Sequence, residues 1–310
     1  MSAQDNKEVD EETKNGEELP NYTPNSKVTR KFIIANNKFD ENLLVFISRD
    51  SAELYRTFKK RDGDPSNPAV VAARRHNQKE KILKKYLTIY KYDIDKEKLI
   101  SDGFDDEKDV YEYCEITKKV HINHITFEKK FTPLRNDRSQ DFELVVFVHS
   151  VLPLCDYVHN GQRHRWVQEK HSSGKLNDYT HVLLSPEKHS LTDNWDKATN
   201  KIEKSVDPDN PLIGGYLKRA FSIGSTRVKD EYYSANKLGI LDHKDDHLLE
   251  YLQRFSRYTM EDVLDDQPVS IEIDSVSSEA LTRLCIASLL KREEDILNNN
   301  FNTKVAYTNY

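Results

Sequence analysis

A chain of 310 residues, 36% hydrophobic and 32% charged, with a formal net charge of −6, has a lean core and a heavily charged surface. Only nine glycines are present, and neither G-x-G-x-x-G nor G-x-x-x-x-G-K-S/T occurs, which argues against the phosphate-cradling loops of nucleotide-dependent enzymes. Three cysteines without a C-x-x-C pair, a polar acidic N-terminus and a longest apolar run of residues 144–148 argue against a disulfide framework, a secretory signal and a membrane-spanning helix, so a nuclear or cytoplasmic location is expected.

Residues 1–26 hold seven acids and two lysines with no apolar periodicity, and are expected to form a disordered acidic tail. A body over 27–300 begins near Lys27. Residues 32–35 and 43–47 read as strands around the polar turn 36–38. Asp50 or Ser51 caps a short helix carrying Leu54 and Phe58. The run 62–68 is a loop, and Pro68 then opens a long basic helix over about 69–92. Residues 109–131 alternate as a hairpin turning at Asn123 and His124, and 144–148 reads as a central strand that Pro153 ends. Residues 156–176 read as polar loop, and 180–184 as a short strand.

The remainder reads as mainly helical. Leu191, Trp195, Ala198, Ile202 and Val206 share one helical stripe, and Leu248, Tyr251, Leu252, Phe255 and Tyr258 share another. Residues 270–274 form a strand, and a last helix starts at about Ser278 with Leu281, Cys285, Leu289 and Ile296 in register. Residues 301–310 are expected to be a flexible tail. The expected fold is α+β, a mixed and mostly antiparallel sheet with packed helices. It either forms one body or divides into a sheet-rich part, 27–185, and a helix-rich part, 186–300.

Charge within the body is segregated: residues 59–91 carry ten Lys or Arg against three acids, and 242–266 carry eight acids against three bases. Basic residues of the expected helix, notably Arg74, Arg75, Lys79, Lys84 and Lys85, suit phosphates or an acidic protein surface. The near-neutral body favours the protein surface. The run 161–166 adds Arg163, Arg165 and Trp166, residue types enriched at interface hot spots; Trp166 either meets a partner or plugs the core from a strand edge. Lys59, Lys60 and Arg61 with Arg74 and Arg75 resemble a bipartite nuclear import signal.

Catalytic and metal-binding patterns are thinner. His149, Cys155, His159 and His164 are zinc-ligand types without the usual paired spacing, and His121 with His124 forms a lesser pair. Glu115 and Lys118 fall on opposite faces of a strand beside Glu112, while Glu272 and Asp274 share one face. Cys114 and Cys285 read as small core residues. No cofactor is expected. The leading expectation is a non-catalytic subunit or adaptor acting through protein contacts. The alternative is a nucleic-acid binder using the basic helix, and a metal-dependent enzyme stands third.

Overall fold

Alternating inward and outward residues characterise the described strands, which close into a barrel. The computed structural model describes residues 27–37, 43–49, 52, 71–74, 85–92, 110–121, 124–149, 152–170, 177–193, 195–196, 201–202, 236–243, 252–263 and 276–307. Their strands are β1 (Lys27–Asn37), β2 (Leu43–Phe46), β3 (Val71–Arg74), β4 (Lys85–Tyr92), β5 (Val110–Val120), β6 (His124–Phe131), β7 (Phe142–His149), β8 (Leu154–His159), β9 (Gln162–Lys170), β10 (Asn177–Leu183), β11 (Trp195–Asp196), β12 (Lys201–Ile202), β13 (Asn236–Asp242) and β14 (Leu252–Val263). The helix is α1 (Ser278–Tyr307). Around the barrel the order is β1-β14-β13-β10-β9-β8-β7-β6-β5-β4-β3-β2, and β2 pairs again with β1. Every pairing is antiparallel. β11 and β12 form a separate two-stranded ladder.

This architecture overturns the expected α+β fold with packed helices. Where a basic helix over 69–92 was expected, the described residues are β3 and β4. Leu87 and Ile89 lie in the core cluster, while Lys85 pairs with outward acids of β5, so the apolar cluster there belongs to a barrel wall. Where a helix around 248–258 was expected, the described residues from 252 on belong to β14, in which Ser256, Tyr258 and Met260 point into the barrel and Glu261 faces water. The expected stripe from Leu191 to Val206 is interrupted by the ladder β11–β12. Residues 156–176, read as loop, contain most of the hairpin β8–β9. Asn160 (φ 49°) and Gly161 (φ 73°) both take the left-handed conformation that a two-residue type I′ hairpin turn requires. Closure leaves residues 144–148 in no central position, because the wall has no edges. The acidic tail, most of the short helix after Asp50 and the strand 270–274 lie outside the described residues. The hairpin over 109–131, the first two strands and the helix beginning at Ser278 occur as expected.

A barrel of eight strands is filled by its side chains, and one of 16–18 strands leaves a channel. Twelve strands leave a bore too wide for side chains alone, and α1 occupies it. Positions 280–282, 284–292, 294 and 295 are all buried, so the helix has no solvent-facing side over this stretch. Its start is tied to one end of the barrel. Ser277 caps it by accepting from the Ala280 N–H (3.1 Å), while its hydroxyl donates to Asp262 of β14 (2.5 Å), which Arg30 of β1 also holds (2.6 Å). Sixteen residues on from Ser277, about 24 Å along the axis, Glu293 meets Lys118 of β5 (2.6 Å), and the next residue, Glu294, accepts from the Asn177 backbone N–H of β10 (2.6 Å). The helix therefore runs from one mouth of the barrel to the other. Gly239 of β13 permits the close approach of β14, since a Cβ there would lie 2.7 Å from the Thr259 carbonyl and 2.9 Å from the Tyr258 ring.

Polar side chains along α1 satisfy one another or the wall. Lys291 pairs with Asp295 one turn on (2.5 Å), and Ser288 donates to the Leu284 carbonyl (2.8 Å). Lys129 of β6 is wholly buried, and its Nζ donates to the Cys285 carbonyl (3.2 Å). Burial lowers its pKa. A buried ammonium in such surroundings is a cost, so Lys129→Met is expected to leave stability within about 1 kcal/mol of the parent or to raise it. Urea denaturation measures this, and a loss of several kcal/mol would contradict it.

The outside of the wall is charged. Lys27–Glu261, Lys85–Glu115, Lys119–Glu128 and Lys130–Glu143 are cross-strand ion pairs around the barrel, each worth about 0–1 kcal/mol. Over β7–β9 the outer face is instead apolar and covered. Phe147, Leu154 and Val167 pack with Leu152 and Leu191, and Trp195 meets Phe147 edge-on at 5.0 Å. Among the described residues no helix is long and apolar enough to cross a membrane.

Candidate functional site

Inward positions of β8, β9, β10 and β14 bring an unusual set of rings together inside the barrel. Strand alternation turns Tyr157, His159, His164, Trp166, His181 and Tyr258 toward α1, while Asp156, Arg163 and Arg165 point outward. Tyr157 stacks on His164 (centroids 4.6 Å apart, planes 6° apart), and Trp166 stacks on His181 (4.3 Å, 1°). His164 and His181 lie 5.4 Å apart, and Trp166 and Tyr258 5.2 Å. His181 bridges two hydroxyls: Nε2 is 3.0 Å from the Tyr157 oxygen, and Nδ1 is 3.1 Å from that of Tyr258. From the helix, Arg283 paired with Glu279 acts electrostatically on these groups.

Burial sets their charge state. It pushes the His164 imidazole down to about 3, helped by Arg283 and His159, and drives His181 well below its ordinary value. The Tyr157 and Tyr258 hydroxyls are pushed up, again chiefly by burial. Near neutral pH the layer is uncharged apart from the Arg283–Glu279 pair. An imidazole with so low a pKa is a poor general base at neutral pH, so the layer is suited to orienting and hydrogen bonding rather than moving protons.

A pH prediction follows. In the unfolded chain each histidine titrates near 6.5, whereas in the folded barrel His164 and His181 titrate far lower. The unfolded state thus takes up protons first, and stability is expected to fall as pH drops below about 6.5, by about 1.4 kcal/mol per pH unit for each histidine. Urea midpoints at pH 7 and pH 5 measure the slope, and His164→Phe should reduce it. A midpoint unchanged or higher at pH 5 would contradict the assignment.

Of the eight residues expected to meet a partner, the four with described side chains, Lys85, Arg163, Arg165 and Trp166, do not form one surface. Arg74 lies in β3 with its side chain outside the described residues, and Arg75, Lys79 and Lys84 also fall outside them. Lys85 binds Glu115 (2.7 Å) and Glu112 (3.5 Å), and the Glu115 hydrogen bond raises its pKa. Far round the barrel, Arg163 holds Asp193 (2.9 Å) and the carbonyls of Ser185 and Pro186. Arg165 is fully buried in a two-pronged pair with Asp156 (both 2.7 Å) and also donates to the His189 carbonyl. Trp166 is wholly buried within the barrel, so neither Arg165 nor Trp166 is presented to a partner.

The metal-ligand set is also divided. His159 and His164 come together inside, Cys155 lies deeper in the wall, and His149 points outward, its Nδ1 accepting from the Leu152 N–H (2.8 Å). His121 and His124 stack at 4.3 Å by the β5–β6 turn, where burial and His121 push His124 down to about 4. Among the described residues no group of three or more His, Cys, Asp or Glu side chains is arranged to hold a metal ion. Glu112 and Glu115 face outward to Lys85, whereas Lys118 faces inward to Glu293. Cys114 and Cys285 are buried core residues, and Glu272 and Asp274 lie outside the described residues.

Sequence reasoning missed the ring layer, though the Asn160-Gly161 pair and the alternation in Gln162-Arg-His-Arg-Trp-Val-Gln168 pointed to it. A family model described as DIA1 matches residues 26–299, from the first barrel strand to the part of α1 inside the bore. No curated protein and no solved structure matches the chain.

Proposed function

The chain belongs to the DIA1 family, and on that footing we propose that it is a non-catalytic subunit or adaptor of a larger nuclear or cytoplasmic assembly, working through contacts on the outside of the barrel. One observation supports this above others: the bore, where barrel proteins commonly hold a substrate or a channel, is occupied by the chain's own helix. The outer wall presents rows of paired Lys and Glu. Such charges suit contact with water and with other proteins, and would be costly against lipid.

The nucleic-acid alternative relied on a basic helix over 69–92. It retains only the local excess of basic charge. A metal-dependent enzyme finds no ligand group among the described residues.

Affinity purification of the full chain at moderate salt, followed by sizing and mass spectrometry, tests the proposal. A stoichiometric complex should be recovered. Lys119→Gln with Lys130→Gln serves as a surface control that should shift melting only slightly, since exposed ion pairs are worth about 0–1 kcal/mol each. A clean monomer under all conditions would count against the reading.

A further inference from the structure

We propose that the mouth of the bore at the start of α1 binds a small oxyanion, through carboxylate or phosphate oxygens, against Arg283, His164 and Trp166. This goes beyond the surface role above, since the ligand would be held inside the barrel and not turned over.

Both ring nitrogens of His164, the indole N–H of Trp166 and Nε of Arg283 are buried without a hydrogen-bond partner among the described residues. His164 and Trp166 are each fully buried. Buried polar groups in native proteins are nearly always paired with protein, water or ligand. The rings that carry these atoms are contiguous, with His181 4.3 Å from Trp166 and 5.4 Å from His164.

The chemistry of the open groups selects the ligand. A neutral imidazole has one N–H, so His181 donates to one tyrosine oxygen and accepts from the other. The tyrosine that accepts has its own O–H left to donate. The indole N–H, the Arg283 Nε–H and one N–H of His164 are three donors without a partner, against the second His164 nitrogen as the unpartnered acceptor. Water brings two further donors with its lone pairs and leaves the excess in place. An oxyanion brings acceptors. Access is from the end of the barrel, where the Arg283 side chain is 12% exposed and that of its partner Glu279 43%.

Trp166 reports on the site directly. In the full chain carrying Trp195→Phe it is the sole tryptophan. Titration with inorganic phosphate and with acetate, against chloride at fixed ionic strength, should give a saturable change in its emission and a rise in Tm for at least one of the two anions. A response to phosphate identifies phosphoryl chemistry, and one to acetate identifies carboxylate chemistry. His164→Phe keeps the stack on Tyr157 and removes two unpaired nitrogens. It should raise Tm without anion and weaken anion binding about ten-fold. Arg283→Gln should weaken it at least as much. The proposal fails if neither anion gives a saturable change, if chloride matches them, or if both variants bind as the parent does.

Discussion

A chain ending at Val276 is expected to lose cooperative folding altogether. The segment removed supplies Leu281, Leu284, Ile286, Leu289 and Leu290, each at most 4% exposed. At about 1.5–3 kcal/mol per fully buried side chain, these five alone contribute on the order of 10 kcal/mol, comparable with the whole stability of a typical domain. The wall would lose its filling, and Lys129, Lys118 and Asn177 would lose their partners on the helix. Urea denaturation followed by circular dichroism, with size-exclusion chromatography, measures the effect. The truncated chain should aggregate or unfold without a transition. A soluble monomer with a cooperative transition near that of the full chain would show that the barrel stands without its helix.

Asp156→Ala should be the most damaging single substitution on the outer wall. The carboxylate is fully buried and accepts from Arg165 Nε and Nη2, the Leu191 N–H and the Ser190 hydroxyl, binding the segment 189–191 to β8 and β9. Its removal strands a buried guanidinium, a change that typically costs about 3–5 kcal/mol. Two readouts should move together: the urea midpoint should fall, and trypsin should cut faster after Lys188. Asp156→Asn, which keeps one acceptor oxygen, should lose less. An unchanged midpoint with unchanged cleavage at Lys188 would remove the pair from any structural role.

How much of this was legible in the sequence depended on what each strand turns inward. β1, β2 and the β5–β6 hairpin place aliphatic and aromatic residues such as Ile34, Val45, Ile116 and Phe127 in the core, so alternation reads in the ordinary way. β8 and β9 turn inward Tyr157, His164, Trp166 and Gln168, and turn outward Arg165 and Asp156, which pair beneath a covering segment. A hydropathy pattern there looks polar throughout and reads as loop. In β4 and β14, neighbouring apolar residues happen to satisfy helical spacing as well as period two, and pairing with distant strands decides between them. The start of α1 was readable from its apolar register. Its burial on every side was disguised by Lys291, Arg292, Glu294 and Asp295; Lys291 and Asp295 pair with each other one turn apart, and Glu294 accepts from Asn177 of the wall.

Arg165 and Trp166, expected to face a partner, are buried for a related reason. Arg and Trp are enriched at interfaces because they combine large apolar area with strong hydrogen bonding. The same properties suit a buried wall, where Arg165 finds Asp156 and Trp166 stacks on His181.

Native-state hydrogen exchange over α1 tests the helix-filled barrel most directly. If the helix occupies the bore, the amides of residues 284–295 should exchange only through global unfolding, as slowly as those of β9 and β14. Exchange of these amides at rates typical of an exposed helix, with the strands still protected, would contradict the account.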